Sequence, residues 1–361
     1  MGYGSTAHFD LIESLLAQRR RSLGPRERLR ICELGDQTIQ VSKEAAESLH
    51  AFAARNRIPE SEAEFTQLRQ RLDERVGGPM HVRDVFAAAG YDYVSIDVNE
   101  EGGARFVDLN YWPNEAQALG RFDVVTNFGT TEHVANQASA FATVHHLLRP
   151  GGVAIHHVPM VHYLNHALVN LTPRFVLGLA TLNDYTVLAT YVQSHCVDQA
   201  IAFHYGPDIL FMQGMREMMM DSTLATMAFF VIRKNSELPY IPPVDVGNDL
   251  ERFRPLLVRG MDHYNPGVGE AEKDAALRAA MARAASRSSF EPIAASIDRR
   301  DYGHRLARTG AELAASPAPA TPPVAQGIAA DARRKAAWLV ERTKARLSPT
   351  IVGRMKRRIF G

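Results

Sequence analysis

Apolar and polar positions change their period several times along the chain. Near the start, Phe9, Leu11, Ile12, Leu15 and Leu16 cluster and arginines follow, which predicts a helix within residues 1–27. A short apolar run, Leu29, Ile31, Cys32 and Leu34, carries Glu33 and stops at Gly35, the pattern of a strand near 29–34. Residues 42–90 return to helical spacing. There "SEAE" at 61–64 has the form of a capping box, Gly77-Gly78 ends that helix, and "VRDVFAAAG" closes a shorter one at Gly90. Strands then alternate with helices: "YVSIDV" (93–98), "ARFVDL" (104–109) and "RFDVVTNF" (121–128), a helix from about Thr131 to Leu148, a turn at "RPGG" (149–152), and "VAIHHVP" (153–159). A helix near 173–182 and strands at 185–192 and 227–234 complete the series. The alternation predicts an α/β fold with a doubly wound, mostly parallel sheet. In such a sheet the ligand lies beyond the carboxyl ends of the strands.

Composition narrows the class. A chain of 361 residues that is 46% hydrophobic and 22% charged has enough apolar material for a large globular core. The net charge of +1 makes no general appeal to nucleic acid. Two distant cysteines, Cys32 and Cys196, fit a reducing compartment, and the start lacks a basic segment followed by an apolar core, so a cytoplasmic protein is expected. Charge is unevenly placed, however. Residues 331–361 hold ten lysines and arginines against Asp331 and Glu341, beyond a Pro/Ala linker, "SPAPATPPVAQG", at 316–327.

The candidate chemistry gathers at strand ends. Glu33 and Gly35 end the first strand, Asp97 the second and Asp108 the third; "NFGTTEHV" ends the fourth and "HHVPMVHYLNH" leaves the fifth. A carboxylate after the second strand can accept hydrogen bonds from both hydroxyls of a ribose. One after the third can accept a bond from an exocyclic amine. The first loop needs glycine where backbone must approach a ligand closely. A nicotinamide dinucleotide would require Gly-x-Gly-x-x-Gly, which "GDQTIQ" does not supply, since Gly35 is its single glycine.

"ICELGDQ", "SIDV", "VDLN", "RFDVVTNFGTTEHV" and "HHLLRPGGVAIHHVP" resemble the ordered motifs of class I S-adenosylmethionine-dependent methyltransferases, over about residues 29–234. The resemblance implies S-adenosyl-L-methionine as cofactor and assigns roles by position. Glu33, Gly35, Asp36 and Gln37 fall near its methionine end, with the Gln37 amide available to the cofactor. Asp97 and Val98 fall at the ribose, and Asp108 and Leu109 at the adenine. Asn127, Phe128 and Gly129 fall on the segment that lines the cofactor and faces the substrate. The implied domain is 29–240, with a helical insertion at 42–90 that explains the roughly sixty residues between Glu33 and Asp97, where a plain crossover needs about twenty. Residues 1–28 and 241–315 are helical extensions, and 328–361 form a basic tail. The expected reaction is methylation of a hydroxyl on a small molecule or glycan. The rivals are a non-catalytic scaffold that keeps the fold and, further off, a nicotinamide-dependent oxidoreductase.

Transfer to a hydroxyl needs a group to take its proton. His162 and His166, in the loop after the fifth strand, and His133, after the fourth, are the candidate bases. His145 and His146 read as structural, and His156 and His157 as pointing to opposite faces of one strand. Asn165, Asn170 and Asn183 are candidates for polar substrate groups. His157, His162 and His166 lack a cysteine or closely spaced acid, so no metal is expected.

The tail pairs its basic residues with Trp338, Leu339, Leu347, Ile351, Val352, Met355, Ile359 and Phe360 at near-helical spacing. It reads as an interfacial helix on an anionic membrane surface at the inner face of the membrane, or as a solvated or domain-packed helix. Stacking aromatics are too sparse to favour nucleic acid. The interfacial reading predicts that truncation after Ser316 abolishes sedimentation with anionic vesicles; unchanged sedimentation refutes it.

Overall fold

The computed structural model describes residues 3–24, 27–161, 163, 165–194, 199–202, 226–244, 250–286 and 295–298. Eleven strands are named in chain order: β1 (Arg30–Leu34), β2 (Thr38–Gln40), β3 (Pro79–His81), β4 (Asp92–Asp97), β5 (Arg105–Phe106), β6 (Phe122–Phe128), β7 (Leu148–Val161), β8 (Tyr185–Ser194), β9 (Gln199–Ala202), β10 (Thr226–Lys234) and β11 (Ala295–Asp298). The main sheet has the order β11-β9-β8-β10-β7-β6-β1-β4-β5. Strands β5, β4, β1, β6 and β7 pair in parallel, and β10 lies antiparallel between β7 and β8. From β5 to β8, β10 alone therefore runs against the rest, the doubly wound, mostly parallel arrangement expected. Every residue of β6 is buried, as a central strand covered on both faces requires.

Alternation of side chains along each strand divides the core in two. Ile31, Val124, Phe128, Ile155, Phe229 and Val231 face one layer, made by α1 (Ala7–Arg21), α2 (Lys43–Asn56), α3 (Glu62–Glu74) and α4 (Val82–Ala88). Cys32, Leu34, Val125, Ala154, Val158, Phe230 and Ile232 face the other, made by α5 (Gln137–Leu147) and α6 (Pro173–Leu182). Two later helices, α7 (Arg254–Tyr264) and α8 (Glu270–Ser286), pack Leu257, Met261, Leu277 and Ala280 against Leu182 and Ile241. Asn183 joins this layer to the sheet by exchanging two hydrogen bonds with the backbone of Ile241, and so it is tied up structurally rather than offered to a substrate.

Several local expectations shift, each for a visible reason. The hydroxyl of Ser61 donates to the carbonyls of Ile58 and Ala88 and makes no cap bond to α3, so the capping box does not form. The third parallel strand shrinks to two residues because the Asp108 side chain accepts from the Asn110 N–H and turns the chain. A 3-10 turn at Thr131–His133 delays the next helix until Gln137, where the Asn136 side chain caps it. "RPGG" is drawn into β7, whose first residue pairs with Phe122. Inside the helical insertion, β2 and β3 form an antiparallel ribbon with Ile39 opposite Met80.

All described residues belong to one compact unit, Met1–Ala315. The linker and the basic tail lie outside the described residues. Among the described residues no helix is long and apolar enough to cross a membrane.

Helix α1 is integral to this unit. Phe9 is 1% exposed, with its ring 5.0–5.2 Å from those of Tyr3, Phe52 and Phe86. Phe9→Ala should therefore destabilise the protein by roughly 3–5 kcal/mol, read from urea denaturation. A change below about 1 kcal/mol would mean that the helix is an appendage.

Candidate active site

The parallel register sets the strand tips level. Leu34 lies beside Ile96 on one side and Asn127 on the other; Ile96 lies beside Arg105, and Asn127 beside His156. The residues that follow, Gly35, Asp97, Phe128 and the turn after it, consequently share one rim. Asp108, two residues past β5, stands on the same rim.

The loop after β1 is remodelled. Gly35 takes φ +79°, which a side chain would strain, and its N–H donates to the Ile96 carbonyl at 2.8 Å. A methyl group added there would meet Thr130 Oγ1 at 2.5 Å and Gln37 Nε2 at 2.6 Å. The Gln37 amide, expected to serve a cofactor, instead donates to Thr130 Oγ1 at 3.0 Å and the Leu34 carbonyl at 3.3 Å. Asp36 is ion-paired with Arg83, and its Oδ2 lies 3.1 Å from His81 Nδ1. Ile39 is buried in the β2–β3 ribbon. After this glycine the chain thus enters a strand and not the helix that follows a phosphate-binding loop.

Glu33 is not a contact at the rim. It shares the face of Ile31, is fully buried, and accepts from Tyr93 Oη, from the Gln37 N–H at 3.2 Å and from Thr126 Oγ1 at 3.3 Å. Burial pushes its carboxyl up to about 8, against the pull of the Tyr93 and Gln37 bonds.

Asp97 is better placed. Its Oδ2 accepts from the Asp36 N–H at 2.9 Å and its Oδ1 from the Asn99 N–H at 3.0 Å, which fixes the carboxylate at the rim. Each oxygen has a second lone pair. Val98 beside it is 61% exposed, and Phe106, its neighbour on β5, is 49% exposed. Asp108 Oδ1 is held by the N–H and side-chain amide of Asn110, whereas Leu109 turns inward and is buried.

The turn after β6 is built by side chains. Asn127 Oδ1 accepts from the N–H groups of Thr130 (3.3 Å) and Thr131 (3.1 Å), and its amide meets Thr131 Oγ1 and His156 Nδ1. Asn127 and the buried Phe128 therefore shape the rim from beneath it, while Gly129, at φ +84°, lets the chain reverse. Gln137 braces the turn from α5 through the carbonyls of Thr131 and Val134. The N–H groups of Leu168 and Val169 both donate to the Glu132 carbonyl, at 2.9 and 3.0 Å, which draws the loop after β7 alongside. His133 and His166 come together as a result, with ring centroids 4.9 Å apart. Burial, and then the neighbouring His166, lower the His133 imidazole below the ordinary histidine value. His162 lies outside the described residues.

Glu132, inside the quoted "NFGTTEHV" but given no role there, lies beside the His133–His166 pair. Its carboxyl is fully buried, neither oxygen has a hydrogen-bond partner among the described residues, and burial raises it to about 7. Its adjacency to His133 in "TTEHV" was the available signal.

Four other histidines, at 145, 146, 156 and 157, are packed within the core layers or against them. His145 bonds Tyr185 and the Leu238 carbonyl, and His146 stacks on Trp112. His156 packs between Phe141 and Phe230, and His157 on the opposite face near His8 and Phe229.

Because folded Glu33 holds its proton more tightly than an exposed carboxyl of ordinary value 4.5, its contribution to stability is complete below about pH 4.5 and lost as the pH rises through 8. Glu33→Gln should flatten that decline by roughly 1–3 kcal/mol between pH 5 and pH 8, measured by urea midpoints. Parallel profiles would show that the carboxyl is ionised throughout.

Residues 40–195 match the model of a family described as a methyltransferase domain, a span that begins after the Glu33–Gln37 loop. No curated protein sequence matches significantly. Similar solved structures include a CurJ carbon methyltransferase (11% identity, TM-score 0.29, 63% of this chain and 54% of that one). An MccD protein (10%, 0.27, 62% and 96%) and a StiE O-MT segment (12%, 0.25, 72% and 81%) are also similar. The chain thus spans about half the length of the CurJ structure. Over residues 40–195 the chain thus resembles a methyltransferase domain, and its sheet order is that of a doubly wound, mostly parallel α/β fold.

Proposed function

We propose that the protein is an S-adenosylmethionine-dependent O-methyltransferase acting on a hydroxyl of a small molecule or glycan. The observation that carries this reading is the Asp97 carboxylate, fixed at the tip of β4 with a lone pair left on each oxygen for a ribose diol. The exposed side chains of Val98 and Phe106 beside it offer apolar surface to an adenine. The donor set therefore fits the adenosine end of the cofactor. At the methionine end, Gln37 and Thr130 fill the space over Gly35, and binding there requires the Gln37 side chain to swing aside.

When bound, S-adenosylmethionine supplies a sulfonium methyl group to the acceptor. The chain's own residues then orient the acceptor and receive its proton. The His133–His166 pair on the same rim supports the proton-accepting role. Both imidazoles are exposed, and a lowered His133 is neutral and able to accept a proton near neutrality. The packing over Gly35 favours a second reading, a binding protein that keeps the fold and has lost the cofactor.

Calorimetric titration of the full chain with S-adenosylhomocysteine separates the two. Enzyme function predicts saturable binding that Asp97→Asn weakens by about tenfold or more, as expected for loss of a charge-assisted hydrogen bond. Absence of binding at hundreds of micromolar refutes the enzyme reading.

A further inference from the structure

We propose that Glu132, His133 and His166 form a binding site for a divalent transition-metal cation. One atom from each residue, a carboxylate oxygen and two imidazole nitrogens, lies within 4.8 Å of the others, and His133 Nε2 is 3.9 Å from Glu132 Oε1. A cation about 2.0–2.2 Å from each donor needs donors roughly 3–4 Å apart. Small rotations of the two exposed imidazoles close the remaining gap, while the backbone beneath them stays fixed.

The backbone is held on three sides. Asn127 and Gln137 brace the turn that bears Glu132 and His133, and the Glu132 carbonyl receives the two N–H groups that follow His166 by two and three residues. The residues are therefore brought together by the fold and not by their spacing in the chain. Glu132 supplies an independent observation. A fully buried carboxyl whose oxygens both lack a hydrogen-bond partner among the described residues is costly unless a proton or a cation neutralises it, and a nitrogen of each imidazole lies within 4.8 Å of its nearer oxygen.

The donor set selects the ion. Magnesium and calcium favour all-oxygen shells, whereas two imidazoles and one carboxylate suit zinc, cobalt or iron. Three protein ligands leave positions for water or for an oxygen of a bound molecule. An acceptor hydroxyl on such a cation would be more acidic and could release its proton to solvent water, the imidazoles then serving as ligands in place of a base. That use rests on the methyl-transfer reading; the cation site itself does not.

The test is a Co2+ titration of the tag-free, chelator-stripped full chain, followed by visible absorption, with neither cofactor nor acceptor present. The expected result is one saturable equivalent, displaced by Zn2+ and unaffected by excess Mg2+. His133→Ala and His166→Ala should each weaken binding by about tenfold or more. Both side chains are exposed, so folding should survive, as a circular dichroism spectrum verifies. With fourteen histidines in the chain, His263→Ala, at an exposed position of α7, is the control and should change nothing. No saturable absorption, or parental affinity in both histidine variants, overturns the proposal. Because the readout is cobalt alone, that result would be distinct from failure to bind S-adenosylhomocysteine.

Discussion

Parallel pairing of β1 with β4 on one side and β6 on the other is the constraint on which the rest depends. It places Leu34, Ile96 and Asn127 in one row across the sheet, so that whatever follows each strand emerges on a common rim. A slip of one residue in β1 would exchange its two faces, sending Glu33 toward α5 and Cys32 toward α1–α4. Burial of β6 at every position and the apolar layers on both faces make such a slip prohibitive. Asp97, Gly35, Gly129, Glu132 and His133 owe their proximity to this register, although they come from three different strands.

Within that frame, the loop after β1 is held by groups from several distant segments. Gly35 retains its left-handed backbone, yet the glycines that would usually follow are replaced by residues with packing work of their own. Gln37 spans Leu34 and Thr130, Asp36 is held by Arg83 from α4, and Ile39 fills the β2–β3 ribbon. The helical insertion is thus more than a longer crossover: it supplies Arg83 and His81, which both contact Asp36, and Met80, which pairs with Ile39. Glu33 completes the remodelling by turning into the core, where Tyr93 and Thr126 satisfy it.

The turn after β6 uses the opposite strategy. Few apolar side chains hold it; side-chain amides and backbone groups do. Asn127 and Gln137 satisfy polar groups that a short 3-10 turn leaves open, and the Glu132 carbonyl captures the loop after β7. Such bonds are directional, so they set geometry as well as contributing stability. Two histidines 33 positions apart in the chain therefore meet beside a buried carboxyl.

Much of this was legible from residue order. Alternating periods identified the parallel strands, α6 and the two late strands, because burial on both faces leaves near-continuous apolar runs. Acids placed where those runs stop marked the rim, and the opposed faces of His156 and His157 followed from strand pleating. The sequence by itself thus determined the sheet, the carboxyl edge of its parallel strands and the position of Asp97 on it, since each depends on local period and strand polarity. Tertiary structure alone decided that Glu33 turns inward, that Gln37 closes over Gly35, and that His166 joins Glu132 and His133. Those outcomes depend on which groups from distant segments satisfy one another's hydrogen bonds and charges, and spacing along a chain does not encode that.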